Sequence, residues 1–261
     1  MPPLAARLTL TALDALPLIR PGDDLAGLIL AALNASGLGL EDGDAIAVAQ
    51  KVVSKAEGRL VNLSEVTPSP EAVELGRRSG KDPRLAQLIL AESRRVMRVR
   101  SGLILVRHRL GFVCANAGID HSNVRGAWGR PEDWVLLLPE DPDASAQRLR
   151  ERFEAASGRS IGVLVIDSHG RAWRVGTVGV AIGLAGLPGV LNLRGRPDLY
   201  GYRLQTTDLG IADELAAAAS AVMGQADEAT PVVHIRGLRY PLRNGSLGEL
   251  LRPESQDLFR D

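Results

Sequence analysis

The sequence predicts an α+β fold, and three observations support this. Short apolar runs typical of strands alternate with segments of helical periodicity along the whole chain. Hydrophobic residues make up 45% of the 261 residues, which is enough to fill a substantial core. No repeat with a period of about 20–50 residues and no low-complexity linker interrupts the pattern. We therefore expect a single domain over residues 1–261.

The first half of the chain is predicted to hold two strands and three helices. The run Ala6–Leu10 predicts the first strand, and the segment LAGLILAALNASG has helical periodicity that ends at Gly37. A turn then leads into a buried strand at Ala45–Ala49. Further on, two short helices are predicted on either side of Lys81–Pro83.

The second half repeats this alternation of strands and helices. It begins with a hairpin whose strands lie near residues 103–108 and 111–115, and the run WVLLL predicts a further strand. An amphipathic helix follows, with Asp143 as its predicted N-cap. The run GVLVI predicts a strand that ends at Ile166, before a turn. A last helix ends at Gly224, and PVVHIRGL predicts the final strand.

Composition excludes several classes of protein. Lys+Arg and Asp+Glu both number 31, so a broadly basic nucleic-acid binder is not expected, and 3% aromatic residues argue against base stacking. The one cysteine, Cys114, excludes an internal disulfide and fits a reducing compartment. No signal peptide is recognised, and the longest apolar stretch, residues 178–193, is too short for a membrane span of about 20 residues. We therefore expect a cytoplasmic protein with no membrane partner.

The common nucleotide-binding fingerprints are missing from the sequence. The segment Gly76–Asp82 is one residue shorter than a P-loop and has Asp where a Ser or Thr would hold magnesium. The glycines Gly37 and Gly39 do not follow a strand and lack the third glycine of a dinucleotide-binding turn. The P-loop and Rossmann classes are therefore not expected.

Four polar clusters remain as candidates for chemistry, three at strand ends and one after a helix. Residues 116–123 and 167–171 combine carboxylates with hydroxyls or amides, which suits a divalent cation and a phosphate. Residues 50–59 combine cations, a hydroxyl and a glycine able to cradle phosphate, and residues 224–230 follow a helix C-terminus, where the dipole favours cations. The alternatives are, in the same order, an Asx-rich turn, a hairpin turn, an exposed charged passage and a solvated loop.

Arginine dominates the basic residues: only Lys51, Lys55 and Lys81 are lysines. Two of these lysines fall four residues apart in the third cluster, and a lysine's compact charge suits a phosphate. The arginine run at positions 94, 95, 98 and 100 is interpreted as a solvated face. His121 and His169 lie within the first two clusters and are possible ligands.

Seven blocks, in order, carry a resemblance to a known family. They include ALPLIRPGDDL, VAQKVVSKAEGR, GFVCANAGIDHSNV and GVLVIDSHGRAWRVGTVGVAIG. Over residues 8–250 the chain resembles the coenzyme F420-0:L-glutamate ligase (gamma-glutamyl ligase) family. The resemblance implies one catalytic domain of that family's α+β fold, which is also not an ATP-grasp fold. It further implies the stand-alone form, without the nitroreductase-like domain of some bacterial relatives.

The resemblance also implies an activity and its cofactors. The family joins L-glutamate to F420-0 and adds further glutamates through gamma-linkages, with GTP as substrate. It uses manganese or magnesium, here expected as two ions, together with potassium, and its subunits form a homodimer. An acyl phosphate would form from the GTP γ-phosphoryl group before the glutamate amine attacks, and GDP and phosphate would be released.

Carried over position by position, the resemblance implies three sets of site residues. The catalytic residues would be Lys55, Asp120 and Asp167. The metals would be held by Asp120 and Asp167 at one ion and by Ser168 and Gln225 at the second. The GTP site would comprise Leu16, Pro17, Leu18, Ile19, Gln50, Lys51, Lys55, Asn123, Met223, Gly224, Gln225, Ala226, Asp227, Glu228, Ala229 and Thr230. Two other interpretations remain open: a nucleotide- or metal-binding sensor with this fold, and the same ligase chemistry on another acidic cofactor.

Overall fold

The computed structural model describes residues 7–239 and 241–257. In this part of the chain the helices are α1 (Leu25–Ala35), α2 (Gln50–Ala56), α3 (Pro70–Ser79), α4 (Pro83–Ala91), α5 (Pro142–Ser157) and α6 (Ile211–Met223). The strands are β1 (Thr9–Leu13), β2 (Ala45–Ala49), β3 (Leu60–Asn62), β4 (Ser93–Arg100), β5 (Leu103–His108), β6 (Val113–Ala115), β7 (Trp134–Leu136), β8 (Gly162–Arg171), β9 (Arg174–Ala185), β10 (Leu191–Asn192), β11 (Asp208–Leu209) and β12 (Val232–Arg236). The predicted α+β class is confirmed. No helix in these residues is long and apolar enough to cross a membrane.

A five-stranded sheet forms the centre of the molecule, in the order β1-β12-β2-β8-β9. Its one parallel pair is β2 with β8, so the C-terminal ends of these two strands lie at the same edge. Alternate residues of β2 and β8 pack on opposite faces of the sheet. One face carries α1 and α5 around Ile46 and Val165, and the other carries α6 around Ala47 and Leu164.

A smaller sheet, in the order β4-β5-β6, packs against α3 and α4. Ile104 and Val106 of β5 are fully buried beneath these two helices. Ser69 and Asp82 each cap the helix that follows with a side-chain oxygen, and a proline begins each helix. The chain leaves this sheet from β6 through the short turn 116–118.

Several predicted elements are confirmed, including the strand Ala45–Ala49 and the helix that ends at Gly224. The first strand lies at Thr9–Leu13 instead of Ala6–Leu10, because its antiparallel partner β12 pairs with those later residues; Ala6 lies outside the described residues. The predicted N-cap Asp143 is wrong. Asp141 caps α5 by accepting a hydrogen bond from the amide of Ala144.

The predicted strand end at Ile166 is also wrong. β8 continues to Arg171 because its last residues pair with β9 in a long hairpin, in which Asp167 lies opposite Val180 and Ser168 opposite Gly179. The sequence also did not predict α2, which follows β2 without an intervening loop. Residues 167–171, for which a hairpin turn was the alternative, therefore belong to β8. Most of residues 50–59, for which an exposed charged passage was the alternative, belong to α2.

Candidate active site

The first part of the site is α2, which begins where β2 ends. Gln50 is buried, and its Oε1 accepts a hydrogen bond of 3.0 Å from Ser54 one turn later. This bond fixes the side chain, so that Gln50 Nε2 donates to Asp120 Oδ2 at 2.5 Å. The third cluster thus begins as a helix, and its hydroxyl, that of Ser54, is buried and positions Gln50.

Asp120 receives two donors from α2. Its backbone is held against Leu136 by a pair of hydrogen bonds of 3.0 and 2.9 Å, and Lys51 Nζ lies 2.6 Å from its Oδ2. Burial and the charge of Asp167 raise the pKa of Asp120, against the lowering effect of Lys51. The two predicted catalytic carboxylates therefore act on each other electrostatically, and the cation of Lys51 only partly compensates.

Lys55 lies one turn after Lys51 on the same helix. Burial and the neighbouring ammonium of Lys51 lower the pKa of Lys55, while Asp120 raises it. Residues four apart lie on the same side of a helix, so the ammonium groups of Lys51 and Lys55 are both on the side of α2 that faces Asp120. An incoming phosphate would relieve the repulsion between the two ammonium groups.

Asp167 and Ser168 extend the site from the parallel neighbour of β2. Ser168 Oγ donates to Gln225 Oε1 at 2.7 Å, and Gln225 Nε2 lies 2.9 Å from Ser220 Oγ. Asp167 Oδ2 lies 3.0 Å from His169 Nε2. His169 is thus in contact with a predicted metal ligand and occupies a position suited to orienting it.

The loop Met223–Thr230 closes the site from the end of α6. Thr230 Oγ1 donates to the carbonyl of Met223 at 2.8 Å, and Glu228 accepts from the amide of Ala226 at 2.7 Å, so the loop folds back on itself. Asn123 Nδ2 donates to the carbonyl of Ala226 at 2.9 Å. The loop is therefore tied both to the segment of Asp120 and, through Gln225, to β8.

The backbone is strained around these loops. Five non-glycine residues in the described chain have a positive φ, and four of them, Asn116, Ala117, Asn123 and Ala229, lie in the two segments that meet at the Asn123–Ala226 hydrogen bond. Such conformations persist where surrounding contacts hold them, and they cluster at functional sites. Asn116 itself has a structural contact, since its Oδ1 accepts from the amide of Ile104.

The segment Leu16–Ile19 connects β1 to α1 and lies apart from these hydrogen bonds. Ile19 is buried, whereas Pro17 and Leu18 are exposed, Leu18 by 88%. The next turn reaches α2, because the amide of Gly22 donates to the carbonyl of Ala56 at 2.9 Å. The segment therefore approaches the end of α2 that is opposite Gln50.

The donor set suits a divalent cation of the magnesium type. Among the described residues, no group of three or more His, Cys, Asp or Glu side chains is placed to enclose a metal by itself. Magnesium commonly uses one or two carboxylates and completes its shell with water and substrate phosphates. Asp120 and Asp167 provide two carboxylates, and the raised pKa of Asp120 marks a place where positive charge is still needed. The residues therefore fit the cation.

Two carboxylates, two ammonium groups and the loop Met223–Thr230 lie together beyond the ends of β2 and β8, and groups of this kind suit a phosphorylated ligand and a cation. Comparison with known proteins gives the family. The model for F420-0:gamma-glutamyl ligase matches residues 15–237. The chain belongs to this family.

The relatives match along nearly their whole length. The coenzyme F420:L-glutamate ligase of Methanothermobacter thermautotrophicus is 49% identical over 257 residues, which cover 97% of this chain and 99% of that protein. The protein of the same name from Methanopyrus kandleri is 47% identical and covers 93% of each chain. That of Methanocaldococcus jannaschii is 42% identical over 222 residues, covering 85% of this chain.

Proposed function

We propose that this protein joins L-glutamate to coenzyme F420-0, with GTP as the phosphoryl donor, and then adds further gamma-linked glutamates. Family membership and the relatives' names support glutamate ligation. The observation that carries the site assignment is the contact of Asp120 with both Gln50 and Lys51, since it joins a predicted metal ligand to two predicted nucleotide contacts. These residues are 70 and 69 positions away from Asp120 along the chain.

The reaction needs activation because a carboxylate is a poor electrophile. In the first step, an oxygen of the acceptor carboxylate bonds to the γ-phosphorus of GTP, the bond to the bridging oxygen breaks, and GDP leaves. In the second, the glutamate amine attacks the acyl carbon, loses a proton and displaces phosphate. Positioning and charge neutralisation dominate phosphoryl transfer, so the protein's main task is to hold charged groups in line.

The residues of this chain divide that task. Lys51 and Lys55 would neutralise phosphate oxygens, and an anion bound beside Lys55 would offset the lowering of its pKa. Gln50, Asn123, the segment Leu16–Ile19 and the loop Met223–Thr230 would hold the nucleotide. Asp120 and Asp167 would hold one divalent cation, with Ser168 and Gln225 at a second. Manganese or magnesium, when bound, supplies positive charge next to the transferred phosphoryl group.

One mass-spectrometric assay tests the proposal. Purified protein is incubated with F420-0, L-glutamate, GTP, Mn²⁺ and K⁺, and the same mixture without K⁺ or with ATP tests those two requirements. A ladder of added glutamyl masses with matching GDP is expected. GDP without a mass shift would point to another acidic acceptor. GTP binding without either product would contradict the ligase and favour a sensor.

The proposal includes a homodimer. Large apolar side chains are exposed at two projecting tips: Trp173 and Val175 at the β8–β9 turn, and Leu199 and Tyr200 between β10 and β11. Their exposed fractions range from 89% to 100%. Exposed apolar clusters commonly mark interfaces, and a second copy would cover them. Light scattering on the purified protein is expected to give the mass of two subunits, and the double variant W173S/Y200S is expected to give that of one.

A further inference from the structure

The open face of the small sheet carries a row of arginines that the proposed reaction does not use. β5 alternates between Ile104, Val106 and His108, which are buried under the helices, and Leu103, Leu105 and Arg107, which are more exposed. Residues paired across a ladder lie on the same face. The residues of β4 opposite this second set are Arg95, Arg98 and Arg100.

A β-bulge creates this row. Arg95 and Arg98 are three positions apart, so in a regular strand they would lie on opposite faces of the sheet. The ladder shifts register between Val96 and Arg98, and the extra residue restores the alignment. As a result, Arg95, Arg98 and Arg100 lie opposite Arg107, Leu105 and Leu103, in steps of two β5 residues. Each step is about 7 Å along the strand.

The three arginines are exposed, and none of them makes an ion pair with a residue in the described ranges 7–239 and 241–257. Charges on an edge strand also prevent sheet extension, but that role needs no common face and no regular spacing. Arg107, on the same face, contacts the carboxylate of Glu254. This face therefore already accepts a carboxylate from the chain itself.

The row lies two strands away from β6, the strand that leads into the candidate active site. Arg98 is paired with Leu105, and Leu105 with Ala115, so the arginine lies two strand spacings, or about 10 Å, from Ala115. Ala115 ends β6, five residues before Asp120. A chain that leaves the site past the end of β6 would thus meet the arginine row.

We propose that this face binds the anionic gamma-glutamyl tail of the growing product. This inference rests on the proposed function and assigns a place to its product. A gamma-linked residue spans about 6 Å when extended and carries one free α-carboxylate per repeat. That repeat is close to the spacing of the arginine row, and guanidinium and carboxylate groups form paired hydrogen bonds. Leu105 and Ala115 supply an apolar floor beside the charges.

The first experiment measures binding without turnover. Synthetic tetra-gamma-L-glutamate is titrated into the full chain by calorimetry at low salt. The variant R98Q/R100Q is expected to bind it about tenfold more weakly than wild type, because two exposed ion pairs are lost. The control R77Q/R78Q removes the same charge from exposed positions on α3, which packs against the opposite face, and is expected to bind like wild type. Equal binding by the two variants, or no binding by wild type, would overturn the proposal.

The second experiment measures tail length. With F420-0, glutamate and GTP, R98Q/R100Q is expected to add the first glutamate at the wild-type rate and to give shorter final tails. Ladders of equal length in all three proteins would overturn the proposal. If wild type adds no glutamate at all, the proposed function fails, and the peptide titration decides the arginine face by itself. Unchanged thermal midpoints would exclude unfolding as the cause, as expected for exposed side chains.

Discussion

A buried aspartate, Asp44, precedes β2, and a half-buried one, Asp120, lies beyond the other end of the strand; their surroundings have opposite effects on the carboxylate charge. Asp44 precedes the strand and is almost fully buried. Burial opposes its charge, but hydrogen bonds from Arg236 and His234 outweigh burial, and the pKa of Asp44 is lowered. Asp120 lies beyond the other end, where burial and Asp167 together raise its pKa. A complete set of partners indicates a structural charge, whereas an incomplete set indicates a place for a ligand.

The largest effect is expected at Asp120. In Asp120→Asn, ligation is expected to fall by at least about a hundredfold, because an anionic group in the reaction site is lost. The thermal midpoint is expected to stay the same or rise, since the fold already disfavours the charged form. Product mass and thermal unfolding measure the two effects. A variant that is both active and less stable would place Asp120 in the same class as Asp44.

The opposite pattern is expected for Asp44→Asn. Removing one charge of a buried cluster costs about 3 to 5 kcal/mol, because His234 and Arg236 no longer face a carboxylate and the new amide group lacks a partner for its N–H donors. Activity per folded molecule is expected to remain, since the cluster lies at the far end of β2. Denaturant unfolding gives the first quantity, and turnover normalised to the folded fraction gives the second. A stable but inactive variant would contradict the comparison.

Glu92 tests whether a buried carboxylate with a complete set of partners also stabilises the fold outside the large sheet. It is buried, which opposes its charge, but the His108 imidazole 3.6 Å away, a hydrogen bond from Arg109 and the charges of Arg109 and Arg59 lower its pKa to about 2. The shift from 4.5 corresponds to about 3 kcal/mol of stability. A lowered pKa stabilises the fold above the unfolded value, and this contribution is lost as the pH falls.

The corresponding variant is Glu92→Gln. It is expected to be less stable than wild type at neutral pH, and the difference is expected to disappear between about pH 4.5 and pH 2. Urea unfolding across that range is the measurement. A difference that does not change with pH would show that packing, and not charge, accounts for the loss.

The sequence predicted the elements with a long apolar or periodic pattern and missed those whose pattern is short or polar. Ala45–Ala49 was predicted at its observed bounds because the whole strand is apolar. The outer half of β8, from Asp167 to Arg171, is polar because the hairpin projects beyond the core, so local pattern could not distinguish it from a turn. Helix α2 is only seven residues long and contains two valines, which weakens its helical signal.

The sequence also predicted only part of the candidate site. Polar clusters at strand ends marked the segments, but the contact between Gln50 and Asp120 joins residues 70 positions apart and depends on the packing of β2 against its neighbours. The individual roles came from the resemblance, and they stay predictions. The arginine row was interpreted as a solvated face because a bulge cannot be recognised from spacing: without it, the three arginines do not share a face.

The smallest effect is expected in the strained backbone of the site. Ala229 has a φ of 56°, which an L-residue adopts at a penalty of about 1 kcal/mol and glycine adopts freely. Ala229→Gly is therefore expected to raise stability slightly in chemical denaturation and to raise the KM for GTP, because a looser loop orders at greater entropic cost when nucleotide binds. The same substitution at Ala12, inside β1, is expected to lower stability and leave the KM unchanged. If both variants lose stability equally, the loop is not strained, and the contrast between the two ends of β2 depends on charge alone.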